Sequence, residues 1–185
     1  VDDSVSFQVY NNLREDAASI AAVNETKGQV VFAENQVAET YFYSVSAGVS
    51  AGIKEVWFAK KDRSYLMPCV LLGDSRKTLD LQKEADFSEF LQGEIKSYDT
   101  NSPWYRWRTT VSEKQLQQFI SEKIKSRYEK NPTQIQTKQK DGTFFSTGQT
   151  ELGEIKKVEI LKRGKSGVAV MAQITGRKNT LRIYT

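Results

Sequence analysis

Short patterned runs along the chain alternate with stretches that lose their period. "VDDSVSFQVYNN" sets Val5, Phe7 and Val9 on one alternating face, the mark of an extended segment. "LREDAASIAAVNETKG" changes to helical spacing. Ala17, Ile20 and Ala21 share a face, Glu15 and Asp16 sit where the helix dipole favours acid, and Gly28 is a terminator. A helix is predicted over 13–23, its alanines suited to close packing on a neighbour. "QVVFAENQVAETYFYSVSA" then predicts a β-hairpin: one strand over 29–32, a turn over 33–36, the other strand over 37–46. On that second strand Tyr41 and Tyr43 point to opposite faces.

From Gly52 to Asp99 the pattern is irregular. "SYLMPCVLL" is apolar and extended, with Pro68 marking an edge or a kink. "DFSEFLQGEI" predicts a short helix with Asp86 as N-cap. "YDTNSPW" has turn composition. "WYRWRTTV" returns to strand pattern, which turns Trp104 and Arg106 one way and Tyr105 and Trp107 the other. A core-packed Trp with Arg106 reaching past it to solvent and an exposed sugar-stacking Trp both fit that strand.

"SEKQLQQFISEKIKSRYEK" is the clearest helix. Ser112 and Gln115 fit a capping box, and Leu116, Phe119, Ile120, Ile124 and Tyr128 make one apolar stripe. "NPTQ" stops it. The polar run over 133–151 reads as a loop or weak hairpin. It is also the candidate boundary between a 1–132 core, carrying a Ser/Gly-rich loop and an aromatic strand, and a 133–185 β-lobe. "IKKVEILKR", "SGVAVMAQITG" and "TLRIYT" close the chain as a three-strand meander. The fold class expected is α+β: an antiparallel β-sheet packed by the 13–23 and 112–128 helices, with the C-terminal meander completing or flanking it.

Composition narrows the chemistry. The 185 residues include no histidine and one cysteine. Ser-His-Asp and Cys-His catalysis within this chain, His-based metal sites, cysteine zinc sites and an internal disulfide are all excluded. No metal or cofactor is expected. Cys69, among Val70, Leu71 and Leu72, is expected to be buried. Hydrophobic residues are 38% and charged residues 27%, ordinary for a globular protein, and no apolar run approaches the ~20 residues of a membrane helix. A start at Val1 without Met reads as a piece of a longer precursor. The net charge of +4 suits nucleic acid, an anionic glycan or an anionic surface. The lysines are spread without a dense cluster, so nucleic acid is not an expected partner.

The stretch "YFYSVSAGVSAGIKEVW" raises the sharpest question. Small and hydroxyl residues separate two aromatic clusters, and either the backbone needs room to turn or a ligand needs room to approach. Glu55 beside Trp57 is the tempting carboxylate; its other reading is a surface ion pair with Lys54 or Lys60. "RGKSG" has the composition of an anion-binding turn and equally of a plain hairpin turn.

In order along the chain, "SFQVY", "AAVNETKGQVVFAENQVAETYFYSVSAGVS", "KEVW", "SPWYRW" and "ILKRGKSGVAV" resemble the SpoIID/LytB family of bacterial cell-wall proteins. The resemblance covers nearly the whole chain and implies a peptidoglycan lytic transglycosylase of the cell wall, some of whose relatives serve sporulation. One carboxylic acid protonates the leaving oxygen and then acts as base. The family's acid-bearing helix precedes the "QVY" segment and has no counterpart here. The loop reads "SVSAGVSAG" where the family has "SSSGG.T", and the later turn lacks the family's Arg. The resemblance thus implies no catalytic residue in this chain, which alone would be inactive. The missing upstream segment of its precursor and peptidoglycan glycan strands are its partners. The glycan contacts it implies are Tyr41 or Tyr43, Ser44, Ser46, Ser50, Glu55 and Trp104. It also implies an extracytoplasmic, wall-facing location, secreted or tethered to a membrane outside this chain. A non-catalytic wall-binding or amidase-enhancer module is the alternative.

Overall fold

The computed structural model describes residues 13–57, 63–72, 79–93 and 95–185. The "SFQVY" segment and Lys60 lie outside the described residues. The chain forms two compact units, Val1–Phe42 and Tyr43–Thr185, and its class is α+β.

The first unit holds one helix and one hairpin. Helix α1, Ala17–Glu25, starts later than its spacing predicts because Asp16 takes an extended backbone and caps it: the Asp16 carboxylate accepts from Ser19 N–H at 2.9 Å. The expected close packing is corrected: α1 buries none of its residues, and Ile20 and Val23 stay exposed. Strands β1, Phe32–Ala33, and β2, Gln36–Val37, pair through a turn of only Glu34 and Asn35. Both turn residues have positive φ, 52° and 60°, the left-handed pair that matches strand twist in a tight hairpin. Pairing stops at Val37, so no strand runs through Tyr41 and Tyr43. Their expected opposite-face geometry does not exist.

The second unit is built on a five-stranded antiparallel sheet in the order β6-β5-β9-β8-β7. Strands β7, Ile155–Arg163, β8, Ala169–Gly176, and β9, Thr180–Tyr184, are the expected meander, with Ile174 opposite Leu181. The run over 133–151, expected as a loop or weak hairpin, forms a hairpin that joins the sheet. Strand β5, Ile135–Lys138, lies inside the sheet between β9 and β6, Phe144–Phe145. Its period-two signal was hidden by polarity, since one of its two inward residues is Thr137, whose hydroxyl donates to Gln149 C=O at 2.9 Å.

Helix α4, Glu113–Lys130, begins on the expected capping box and lays Ile120, Ile124 and Tyr128 on the sheet. Ile124, Ile135, Leu152, Ile174 and Leu181 form the core, so packing runs straight across the boundary expected at 132/133. The stripe is rotated from its expected centre. Leu116 and Phe119 remain exposed, while Gln117 turns inward and bonds both Gly153 C=O and Ile155 N–H at 2.8 Å. Satisfying two backbone groups at the start of β7 outweighs burying one more apolar side chain there.

Before α4 come strands β3, Val49–Ser50, and β4, Cys69–Val70, which pair with each other, and helices α2, Ile53–Val56, and α3, Glu84–Gln92. Asp86 is not the α3 N-cap. It sits in the first turn and accepts from Asp80 N–H at 2.9 Å; Lys83 holds the cap position. Cys69 is exposed rather than buried, on the two-stranded ribbon of β3 and β4 and outside the five-stranded sheet. No helix of the described residues is long and apolar enough to cross a membrane.

Candidate functional site

An open cleft of about 600 Å³ lies between two loops of the second unit. One wall is Ser44, Val45, Ser46 and Ala47; the other is Trp104, Arg106 and Trp107. Its volume is within the range of ligand sites, and aromatic surface with a few polar groups is the usual lining of one.

The first wall answers the question of the small residues in two parts. Ala47 and Gly48 both have positive φ, 58° and 102°, which turns the chain into β3. Gly48 is buried, and a Cβ there would lie 2.7 Å from Leu72 Cδ2, so only glycine fits. Gly52 packs on Pro68 in the same way, its Cβ position 2.8 Å from the ring Cδ. Ser50 is spent on the ribbon: its Oγ accepts from Cys69 N–H at 3.1 Å. Room from residue 48 onward therefore serves packing, and residues 44–47 alone face the cleft.

Ser46 is held from behind. Its N–H and its Oγ both donate to Asp99, the latter at 2.8 Å, and Ser97 Oγ donates to the same carboxylate. Desolvation pushes the Asp99 carboxyl up. The bonds from Ser97 and Ser46 outweigh it, and the group sits below its ordinary 3.8. A depressed carboxyl stabilises the fold above its unfolded pKa, and that stability is lost as pH falls through the folded value. Asp99→Asn is therefore expected to cost about 1 kcal/mol at pH 7. The gap to wild type should close below the ordinary carboxylate range. Urea unfolding at pH 7 and near pH 3 checks this, and a pH-independent gap would contradict it.

The second wall is not the strand expected. Residues 101–106 are turns, and Arg106 takes φ 52°, rare for a side chain of that size. That kink breaks the strand alternation. Tyr105 goes inward, its hydroxyl donating to Ile95 C=O at 2.8 Å. Arg106 goes inward too, Nη1 donating to Phe90 C=O at 2.6 Å and Gly93 C=O at 2.8 Å. Its guanidinium lies over the Phe90 ring, 4.4 Å from the centroid. Trp104 and Trp107 are both left outside, 71% and 69% exposed. The core-packed Trp and the solvent-reaching Arg106 are thus reversed.

Glu55 is not a cleft residue. It is buried, and its carboxylate accepts from Gly52 N–H at 3.1 Å, from Ser166 N–H at 3.3 Å and from Ser166 Oγ. The surface reading is corrected with it. Ser166 belongs to "RGKSG", the β7–β8 turn, so the anion that this turn binds is a carboxylate of the protein itself. Beside it Arg163 holds Glu84 through Nε at 2.7 Å and Nη2 at 3.0 Å. A Cβ on Gly167 would fall 2.6 Å from the Phe87 ring. The turn is a dock for α2 and α3.

Of the expected contacts, the structure brings Ser44, Ser46 and Trp104 together at one cleft. Tyr43 and Ser50 do not line it, and Glu55 is used elsewhere. Tyr41 belongs to the first unit, its hydroxyl donating to Glu39. Trp107 and Arg106 are the functional candidates that strand periodicity missed. The signal was the turn composition of Asn101, Ser102 and Pro103, which continues three residues further than it reads. Among the described residues no cluster of three metal-ligating side chains occurs.

No curated protein and no solved structure matches the chain. A family model described as "Domain of unknown function (DUF8618)" matches residues 51–143, from the residues before α2 through β5. The match takes in the wall of Trp104, Arg106 and Trp107 and begins after the wall of Ser44 and Ser46. It spans half of the chain, and the protein belongs to the DUF8618 family.

Proposed function

We propose that this protein binds the glycan strands of bacterial cell-wall peptidoglycan in the cleft between Ser44 and Trp104. The observation that carries the reading is the pair of exposed indoles, Trp104 and Trp107, lining one cleft with exposed Ser44 opposite. The apolar faces of pyranose rings stack on indole, and short hydroxyls bond ring substituents. The kink at Arg106, whose side chain turns inward to the Phe90 and Gly93 carbonyls, leaves both indoles outside. The ordered resemblance to the SpoIID/LytB family supplies the ligand class and the wall-facing, extracytoplasmic location.

Binding, rather than cleavage, is the part these residues support. A transglycosylase acid must be held protonated near neutral pH. Asp99, the carboxyl bonded to Ser46 of the cleft wall, is held on the ionised side by its serine donors, and Glu55 is committed to Gly52 and Ser166. This favours the non-catalytic wall-binding module over a catalytic cleft made of these residues.

Co-sedimentation with purified peptidoglycan tests the reading. Wild type should pellet with the wall, and Trp104→Ala/Trp107→Ala should bind at least tenfold more weakly, since stacking on one aromatic is worth about 1 kcal/mol or more. Equal binding by the double variant defeats the cleft assignment. Anhydromuropeptides released by the chain alone, seen by mass spectrometry, would overturn the non-catalytic reading.

A further inference from the structure

We propose that Arg106 is the specificity residue of this cleft and that it reads a carboxylate on the bound ligand. The inference rests on the glycan-binding reading above and deepens it. Arg106 Nε and Nη2 are buried and have no hydrogen-bond partner, while Nη1 is fully used on two carbonyls. A guanidinium stays protonated, and a buried charged donor without an acceptor is costly. No carboxylate of the described residues forms an ion pair with it.

The two atoms left over are not arbitrary. Nε–H and one Nη2–H point the same way from one edge of the guanidinium plane. That edge is a fork whose spacing matches the two oxygens of a carboxylate. The same molecule shows the fork in use: Arg163 holds Glu84 through these two nitrogens. Arg106 lines the cleft beside two indoles suited to a sugar ring, with its plane fixed by Phe90 and the carbonyls of Phe90 and Gly93, and its unpartnered edge is covered, so a ligand reaches it when the indoles move aside. The flanking indoles are exposed and have the rotameric freedom to give way to a ligand. A neutral sugar hydroxyl answers one donor; a carboxylate answers both and neutralises the charge. The ligand class is therefore a carboxylate-bearing saccharide. The carboxylate comes either from the sugar itself or from a peptide attached to it.

Calorimetric titration of the intact chain with four tetrasaccharides tests this. They are chitotetraose, the peptide-free wall tetrasaccharide, its carboxyl methyl ester, and the peptide-bearing wall tetrasaccharide. Wild type should bind the free acid at least tenfold more tightly than its ester and than chitotetraose. Arg106→Gln should lose that ratio, and Arg106→Lys should restore only part of it, having charge without the fork. If the peptide-bearing form alone shows the gain, the carboxylate read is the peptide's. Equal affinity of wild type for acid, ester, peptide-bearing form and chitotetraose overturns the role of Arg106 and leaves the glycan cleft standing. No binding of any of the four overturns the cleft reading itself. If Arg106→Gln does not fold, the wild-type ranking of the four ligands together with the partial loss in Arg106→Lys decides the matter.

Discussion

Glu55→Ala is expected to destabilise the second unit by about 3 kcal/mol, more than any surface change in this chain. The substitution removes an acceptor from three donors, Gly52 N–H, Ser166 N–H and Ser166 Oγ, in a place that water does not reach. Each buried donor left alone costs about 1–3 kcal/mol. Some relaxation toward solvent at the α2 edge lowers the sum. Glu55→Gln keeps the shape and one carbonyl acceptor, so its cost should be roughly half. Urea unfolding of Glu55→Ala, Ser166→Ala and the double variant forms a cycle, whose coupling energy should be about 1.5–3 kcal/mol. A coupling near zero would mean that Glu55 and Ser166 are not partners in solution. Gly164→Ala approaches the same contact from the other side, since its Cβ would overlap the Glu55 carboxylate.

Leu181→Ala should cost about 3–4 kcal/mol, within the range for a large aliphatic removed from a packed interior. Leu181 has no exposed surface, faces Ile174 across β8–β9 and shares the core with Ile124 and Ile135. The cavity left would be walled by two sheet strands and α4, none of which can collapse without breaking ladder bonds. Val158→Ala on the edge strand β7 is the control. Val158 is 46% exposed, and its loss should cost under about 1 kcal/mol. Equal losses at the two positions in denaturant would show that the core is not where Leu181 sits.

These two positions were legible to different degrees. Leu181 and Ile183 alternate in a short run after turn residues, and reading that run as a strand needs nothing but its period. The capping box at Ser112 and the helix behind it were equally plain, because both signals lie within a few residues of sequence. Glu55 was not legible. Its partner Ser166 lies 111 residues away, so nothing near Glu55 marks it as buried. The neighbouring Lys54 makes a surface pair the natural local reading.

The cleft divides along the same line. That small and hydroxyl residues follow aromatics near residues 44–47 is a property of the sequence that left a tight turn and a ligand site both open, and the family resemblance singled out Ser44, Ser46 and Trp104. The side of the chain on which Trp107 and Arg106 emerge was decided by one dihedral angle. The inward anchoring of Arg106 on the Phe90 and Gly93 carbonyls drives that residue to φ 52°, and strand periodicity cannot anticipate a kink imposed by a distant acceptor.

Local signals, then, determined the class of the fold, the meander and the last helix, because period, caps and turn residues act over distances shorter than an element. Tertiary structure alone decided the burial of Glu55, the exposure of Cys69, the place of the polar strand β5 inside the sheet and the unpaired fork of Arg106. Each of these depends on which remote group supplies a hydrogen-bond partner or covers a surface, and that is a property of the folded chain.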